Sequence, residues 1–182
     1  MNAFQQQMIF VAGALLCAAI SAVPDVRRRK IPNIVTGPAI LAGLALHAVL
    51  GGWSGLGNSA LAGLIAGVVF LAFWLAGGLG AGDVKLMVAV GCFAGLSPLP
   101  LLLLAILLAG AVFALAVSVV HGRLRVTLRN VVELLMHHRR VGLKPHPDLN
   151  LKNAQTLRLP FALPAAAGCL FAICAQTWGL HL

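Results

Sequence analysis

Apolar residues run almost unbroken along most of this chain, separated by short polar breaks rich in glycine and proline. Six runs are long enough to predict membrane-spanning helices. They cover residues 4–23, ending before Pro24 and Asp25; 33–50, opened by Pro32 and closed by Gly51-Gly52; 56–76; 83–96; 99–120; and 159–180. The fourth, closed by Ser97-Pro98, is the shortest. Long runs, in place of roughly ten-residue alternating segments, predict helices and not a barrel. The pattern therefore predicts an all-α polytopic membrane bundle, a single domain over residues 1–182. Its one sizeable loop outside the membrane is at 121–158. The halves differ in loop length and in the placement of their acids, so an inverted repeat is not indicated.

Composition agrees with the pattern. Hydrophobic residues make up 60% of the chain and charged ones 9%, with a mean hydropathy of +0.98; a soluble domain is about 25% charged. The net charge of +9 raises the question of nucleic acid. The chain has no Tyr, and its few aromatics sit mainly in apolar runs, so no base-stacking platform is present and a nucleic-acid role is excluded. Charge instead orients the bundle. With six spans, the loops after the first, third and fifth share a side. They carry Arg27, Arg28, Arg29 and Lys30, then Lys85, then Arg123, Arg125, Arg129, Arg139, Arg140, Lys144, Lys152 and Arg158. All 13 basic residues thus fall on one side. That side is expected to be cytoplasmic, placing the chain in a bacterial inner membrane with both termini periplasmic. Residues 1–8 hold no Lys or Arg and the cluster follows the apolar run, the reverse of a secretory leader. Leu16 stands before Cys17 where a lipoprotein site wants a small residue. The first run is therefore expected to be a retained span.

The loop at 121–158 has its own periodicity. Leu124, Leu128, Val131 and Leu135 recur at helical spacing, with Arg125, Arg129, Arg139 and Arg140 nearby. This predicts an amphipathic helix on the anionic inner leaflet, favoured over an ordinary helix packed on the bundle. His137, His138 and His146 are expected to be solvated, since no acid or cysteine set accompanies them. The four cysteines, Cys17, Cys92, Cys169 and Cys174, lie in apolar runs and form no C-x-x-C pair. They read as small buried hydrophobes.

Only four acids exist: Asp25, Asp83, Glu133 and Asp148. The last two fall in the polar loop. Asp25 and Asp83 fall at span ends, where a carboxylate is a functional candidate by default. Singly, each has a plain reading: Asp25 as an interfacial charge paired with arginine, Asp83 as a helix N-cap after a glycine-rich loop. Topology makes the pair more informative, because both fall on the basic side at one depth. Two carboxyls within hydrogen-bond reach cannot both ionise cheaply, so one keeps a proton. One then activates water while the other polarises a carbonyl and later protonates the leaving amine. No metal, cofactor, nucleophilic serine or Cys–His pair is required. Gly80 and Gly82 fit a backbone approached closely by substrate and a loop tolerant of positive φ. Lys85 is expected to snorkel to headgroups, or to tune Asp83.

These residues resemble the type IV prepilin peptidases, membrane aspartic proteases of the GxGD group. Gly80-Ala81-Gly82-Asp83 matches the signature, and Val84-Lys85-Leu86 continues it. Asp25, followed at fixed distance by Ile31-Pro32-Asn33, is similar to the first aspartate motif, and Leu159-Pro160-Phe161-Ala162-Leu163-Pro164 to the third, proline-rich one. The resemblance implies that Asp25 and Asp83 are catalytic. It also implies cleavage of a prepilin or pseudopilin leader after a glycine at the cytoplasmic face. Larger members carry an N-terminal insertion with C-x-x-C pairs, linked to methylation of the new N-terminus. Here only a few polar residues precede the first run, so peptidase activity without methyl transfer is expected. This short form is similar to the peptidases of tight-adherence (Flp-type) pili. Such leaders are commonly basic, so the basic face is assigned to orientation and lipid contact. Three other readings compete: a GxGD protease of another membrane substrate, a proton-coupled transporter using both acids as relays, and a non-catalytic pilus assembly subunit. The oligomeric state is left open.

Overall fold

A computed structural model of the chain describes residues 2–142, 144 and 159–177. Among these residues every regular element is a helix. In chain order they are α1 (Ala3–Arg28), α2 (Asn33–Leu75), α3 (Ala81–Ala94), α4 (Leu99–Val120), α5 (Leu124–Val141) and α6 (Ala162–Thr177). Three, Phe4–Arg28, Asn33–Leu75 and Leu99–Val120, are long and apolar enough to cross a membrane. The protein is a polytopic membrane helix bundle. His146, Asp148, Lys152 and Arg158 lie outside the described residues, as does the end of the sixth run beyond Thr177.

The second and third predicted spans form one element, α2, broken at Gly52, whose backbone (φ 61°, ψ −149°) is not helical. That φ lies in the left-handed region that glycine enters without steric cost. The break is a reversal. Gly43 and Gly63 both lie against Cys92, although a straight helix would hold them about 30 Å apart. α2 is thus a helical hairpin, and its two arms correspond to the two predicted spans. It ends in a Schellman turn: Gly77 (φ 81°) donates to the Trp74 carbonyl and Gly78 to that of Phe73.

Other boundaries move. α1 does not stop before Pro24 but carries through it to Arg28. Proline removes one donor from the ladder, yet the Arg29 N–H still closes the last turn on the Asp25 carbonyl, and Arg29 (φ 51°) then turns the chain toward Ile31. α3, at 14 residues, equals the predicted run in length but begins two residues earlier, at Ala81, and α6 begins at Ala162, three residues after its predicted start.

α3 sits inside the bundle, against both arms of α2 and against α1, while α6 packs between α1 and α4. Many of the contacts are made by small residues, around a few large ones such as Phe70, Leu86, Met87, Leu102 and Ile106. Ala14, Ala18, Ala62, Ala66, Ala89, Ala165 and Cys169 are buried, whereas large apolar side chains such as Leu64, Leu108, Val112 and Phe171 face outward. Lipid supplies no hydrophobic force between helices, so close backbone approach and dispersion must hold them together. A Cβ on Gly91 would lie 2.7 Å from the Ala62 carbonyl oxygen, and one on Gly168 would lie 2.6 Å from the Ile106 Cα. By contrast, a Cβ on Gly110 would meet nothing within 4 Å. Gly168→Ala is therefore expected to destabilise the bundle by about 1–3 kcal/mol through overpacking. Gly110→Ala should leave it unchanged or more stable. Thermal unfolding of both purified variants in detergent checks this; equal midpoints would contradict the α4–α6 packing.

Candidate active site

Three helix ends converge at one end of the bundle. Asp25 lies in the last turn of α1 and is 4% exposed. Its Oδ2 accepts a 2.8 Å hydrogen bond from the Ala162 N–H, the first residue of α6. An α-helix leaves its first amides without internal partners, and in lipid an unpaired amide is expensive. Asp25 answers that need from 137 positions away. The sequence reading of Asp25 as a charge paired with arginine is not what the structure shows: Arg27, Arg28 and Arg29 are exposed, and the carboxylate turns inward to α6.

Asp83 enters from α3. It is not the N-cap; Gly80 holds that position, and Asp83 is the third helical residue. Its Oδ2 reaches back to accept the Gly80 N–H at 2.8 Å, the returning half of a capping box. Asp83 is partly buried.

The two glycines of the signature serve local packing. A Cβ on Gly82 would come 3.2 Å from the Ile31 Cβ and 3.3 Å from its carbonyl oxygen, so the first turn of α3 rests directly on the α1–α2 connection. A Cβ on Gly80 would come 3.2 Å from Asp83 Oδ2. The close approach anticipated for a substrate is therefore made, here, by Ile31. The positive φ of this loop falls on Gly77; Gly80 has a φ of −84°.

Lys85 donates from Nζ to Asn33 Oδ1 at 2.8 Å, bridging the first turns of α3 and α2. This contact is additional to the roles expected for it. The bridge and the Gly82–Ile31 contact together clamp the segment after Asp25 onto the segment bearing Asp83. Pro32 is the N-cap of α2, and its carbonyl accepts the Val35 amide. Pro160 is partly buried in the entry to α6, beside Phe161, whose ring packs on Phe70 at 5.6 Å.

Sequence reasoning missed two participants. Asn33 was visible only as the end of a motif. The Ala162 amide carried no signal, because every non-proline residue has one. Away from this end, Cys17, Cys92 and Cys169 are buried as expected, but Cys174 is exposed. His137 bonds to the Lys144 carbonyl. Among the described residues, no three His, Cys, Asp or Glu side chains gather into a metal-binding group.

Comparison with known proteins bears on what this end of the bundle does. A prepilin leader peptidase/N-methyltransferase of Burkholderia pseudomallei is 36% identical over 120 residues, covering 60% of this chain and 38% of the relative. One from Aeromonas salmonicida is 37% identical over 99 residues, covering 50% and 33%. The matched stretch is thus little more than a third of those relatives' length. No solved structure matches the chain. Residues 9–115, which include Asp25, Ile31, Asn33, Gly80, Gly82, Asp83 and Lys85, match the type IV leader peptidase family, and the chain belongs to that family.

Proposed function

We propose that the protein is an aspartic endopeptidase that removes the leader peptide of type IV prepilins, with Asp25 and Asp83 as its catalytic pair. The observation that supports this reading is the placement of two carboxyl groups from separate helices at one end of the bundle, each held by a backbone amide. One carboxylate takes a proton from a water whose oxygen attacks the scissile carbonyl carbon. The other, protonated, donates to the developing oxyanion, and a proton then passes to the leaving amine. The basic residues Arg27, Arg28, Arg29, Lys30 and Lys85 surround this end, which supports a cytoplasmic site in the inner membrane and periplasmic termini. A Flp-type prepilin is the substrate we favour. The four cysteines include no C-x-x-C pair, which supports leader removal without methyl transfer.

Asparagine retains a carbonyl oxygen able to accept the Ala162 or Gly80 amide, so Asp25→Asn and Asp83→Asn isolate chemistry from folding. Each variant is expected to insert normally and to lose leader cleavage by at least about 100-fold, the lower end of acid–base contributions. Co-expression with a Flp-type prepilin, read by gel shift and N-terminal sequencing, checks this; cleavage surviving either change would remove the pair from the mechanism. A prepilin left uncut by well-expressed wild type would favour a different membrane substrate.

The Ala162 amide gives a sharper test. Proline is well tolerated at the first position of a helix, so Ala162→Pro deletes the donor to Asp25 while sparing α6. A hydrogen bond to a charged group contributes about 1.5–3 kcal/mol. If that bond orients Asp25, kcat should fall roughly tenfold or more with KM little changed. Ala162→Gly, which keeps the N–H, should stay near wild type. Cleavage kinetics with purified protein and prepilin in detergent decide the matter, and equal kcat in both variants would make the bond purely architectural.

A further inference from the structure

Helix α5 plays no part in the site described above, and its surface is amphipathic. At 100° per residue, Leu128, Val131, Val132 and Leu135 fall on one face, Arg125, Arg129 and Arg140 fall on its flank and beyond, and Arg139, in the last turn, lies in line with the apolar face. The apolar face is not used inside the bundle: Leu128 is 50% exposed, Val131 47%, Val132 51% and Leu135 62%. The arginines are exposed as well.

The position of α5 is fixed by how α4 ends. α4 is a 22-residue apolar helix whose last residues, Val119 and Val120, are themselves exposed. It closes with a Schellman turn at Gly122, in which Gly122 donates to the Val119 carbonyl and Arg123 to that of Ser118. Its final carbonyls are therefore satisfied by protein. Thr127 then donates from Oγ1 to Ser118 Oγ at 3.0 Å, laying the first turn of α5 beside the last turn of α4. A helix held there does not run straight on from α4 into water. It starts beside the end of a helix long and apolar enough to cross a membrane.

We infer that α5 is a lipid-docking helix, its Leu128–Val131–Leu135 face immersed at the membrane boundary and its arginines engaging anionic lipid headgroups. Charge selects the occupant. Arg123, Arg125, Arg129, Arg139 and Arg140 stand against Glu133 as the one acid of the segment, a balance that complements anionic phospholipid. An amphipathic helix of this kind sits with its apolar face about 5–10 Å into the headgroup–acyl boundary. Each basic residue near an anionic surface adds to the attraction, and salt weakens it. This inference is independent of the peptidase reading, since it concerns a surface and not the reaction.

The test uses the full chain in vesicles. Cys17, Cys92 and Cys169 are buried, so replacing only the exposed Cys174 by alanine leaves a background fit for surface labelling. Spin labels are placed by Val131→Cys, Leu135→Cys, Arg129→Cys and Asn130→Cys, one at a time. Relaxation by oxygen, which partitions into lipid, is compared with that by a water-soluble nickel chelate. With phosphatidylglycerol mixed into phosphatidylcholine, positions 131 and 135 should be relaxed several-fold more by oxygen than by the chelate, and positions 129 and 130 the reverse. In phosphatidylcholine alone, or when Arg125, Arg129 and Arg140 are all changed to glutamine, the immersion of 131 should become shallower. Labels at 131 and 135 shielded from both reagents would mean that protein covers this face. Access of the chelate to all four positions would mean that the face lies in water. Equal depth in both lipid mixtures would show that charge does not recognise the surface. Each of these results overturns the inference.

Discussion

The buried hydrogen bond from the Ala162 amide to Asp25 joins the first helix of the chain to α6. Both partners require it. The amide opens α6 and has no acceptor within its own helix, and the carboxylate is almost wholly buried. A buried polar group without a partner costs more than a satisfied one gains, so the bond specifies position more strongly than it adds stability. Once α6 is hung from Asp25, its entry segment with Pro160 and Phe161 is brought to the same end as α3. Phe161 packs on Phe70 of α2 and completes the ring of elements. A residue proposed to act in catalysis is thereby also a fastening of the fold, which ties the orientation of its carboxyl to the assembly of the bundle.

The rest of the architecture follows from what lipid withholds. Without a hydrophobic force between helices, association depends on how closely backbones approach. Gly43, Gly63, Gly91 and Gly168 supply that closeness, each facing a neighbouring helix at a distance where a Cβ would collide. The alanine-rich lining of α1, α3 and α6 continues the same principle, while the bulky leucines and valines are spent on the lipid side. α3 can be short because it is enclosed by protein: its start is held by Gly80 and Asp83, its end by the Gly95 amide on the Gly91 carbonyl. Beyond its end, the Leu96 amide finds the side chain of Asn58. A 14-residue helix exposed to lipid on its own would not match the hydrocarbon thickness.

The site is assembled by contacts of modest individual strength acting in one direction. Gly82 on Ile31 and Lys85 on Asn33 draw the connection after Asp25 against the first turn of α3. Neither contact involves a carboxyl group directly. Both set the separation and mutual angle of the segments that carry them, and a pair of carboxyls is sensitive to separation because their electrostatic coupling falls steeply with distance. The glycine-rich signature is thus as much a packing element as a loop. Its glycine at the third place, Gly82, is small because Ile31 lies on it.

Fold class, polytopic character and the candidate carboxylates were legible in the order of residues alone, because each depends on properties carried by residues one at a time or at fixed spacing. Apolar run length is sufficient to name a membrane helix, and an acid among so few acids is conspicuous wherever it falls. The division of α2 at Gly51-Gly52 was readable for the same reason, since a glycine pair interrupts an otherwise continuous run. Which group partners which emerges only from the packing of the helices. That Lys85 reaches Asn33 depends on a neighbour distant in sequence, while the passage of α1 through Pro24 and the place of Asp83 as the third residue of its helix are local choices that run length alone does not fix. The bond to Ala162 is the extreme case. Its donor is a backbone amide, which every residue but proline possesses, so only the arrangement of the helices in space can distinguish that amide from all the others.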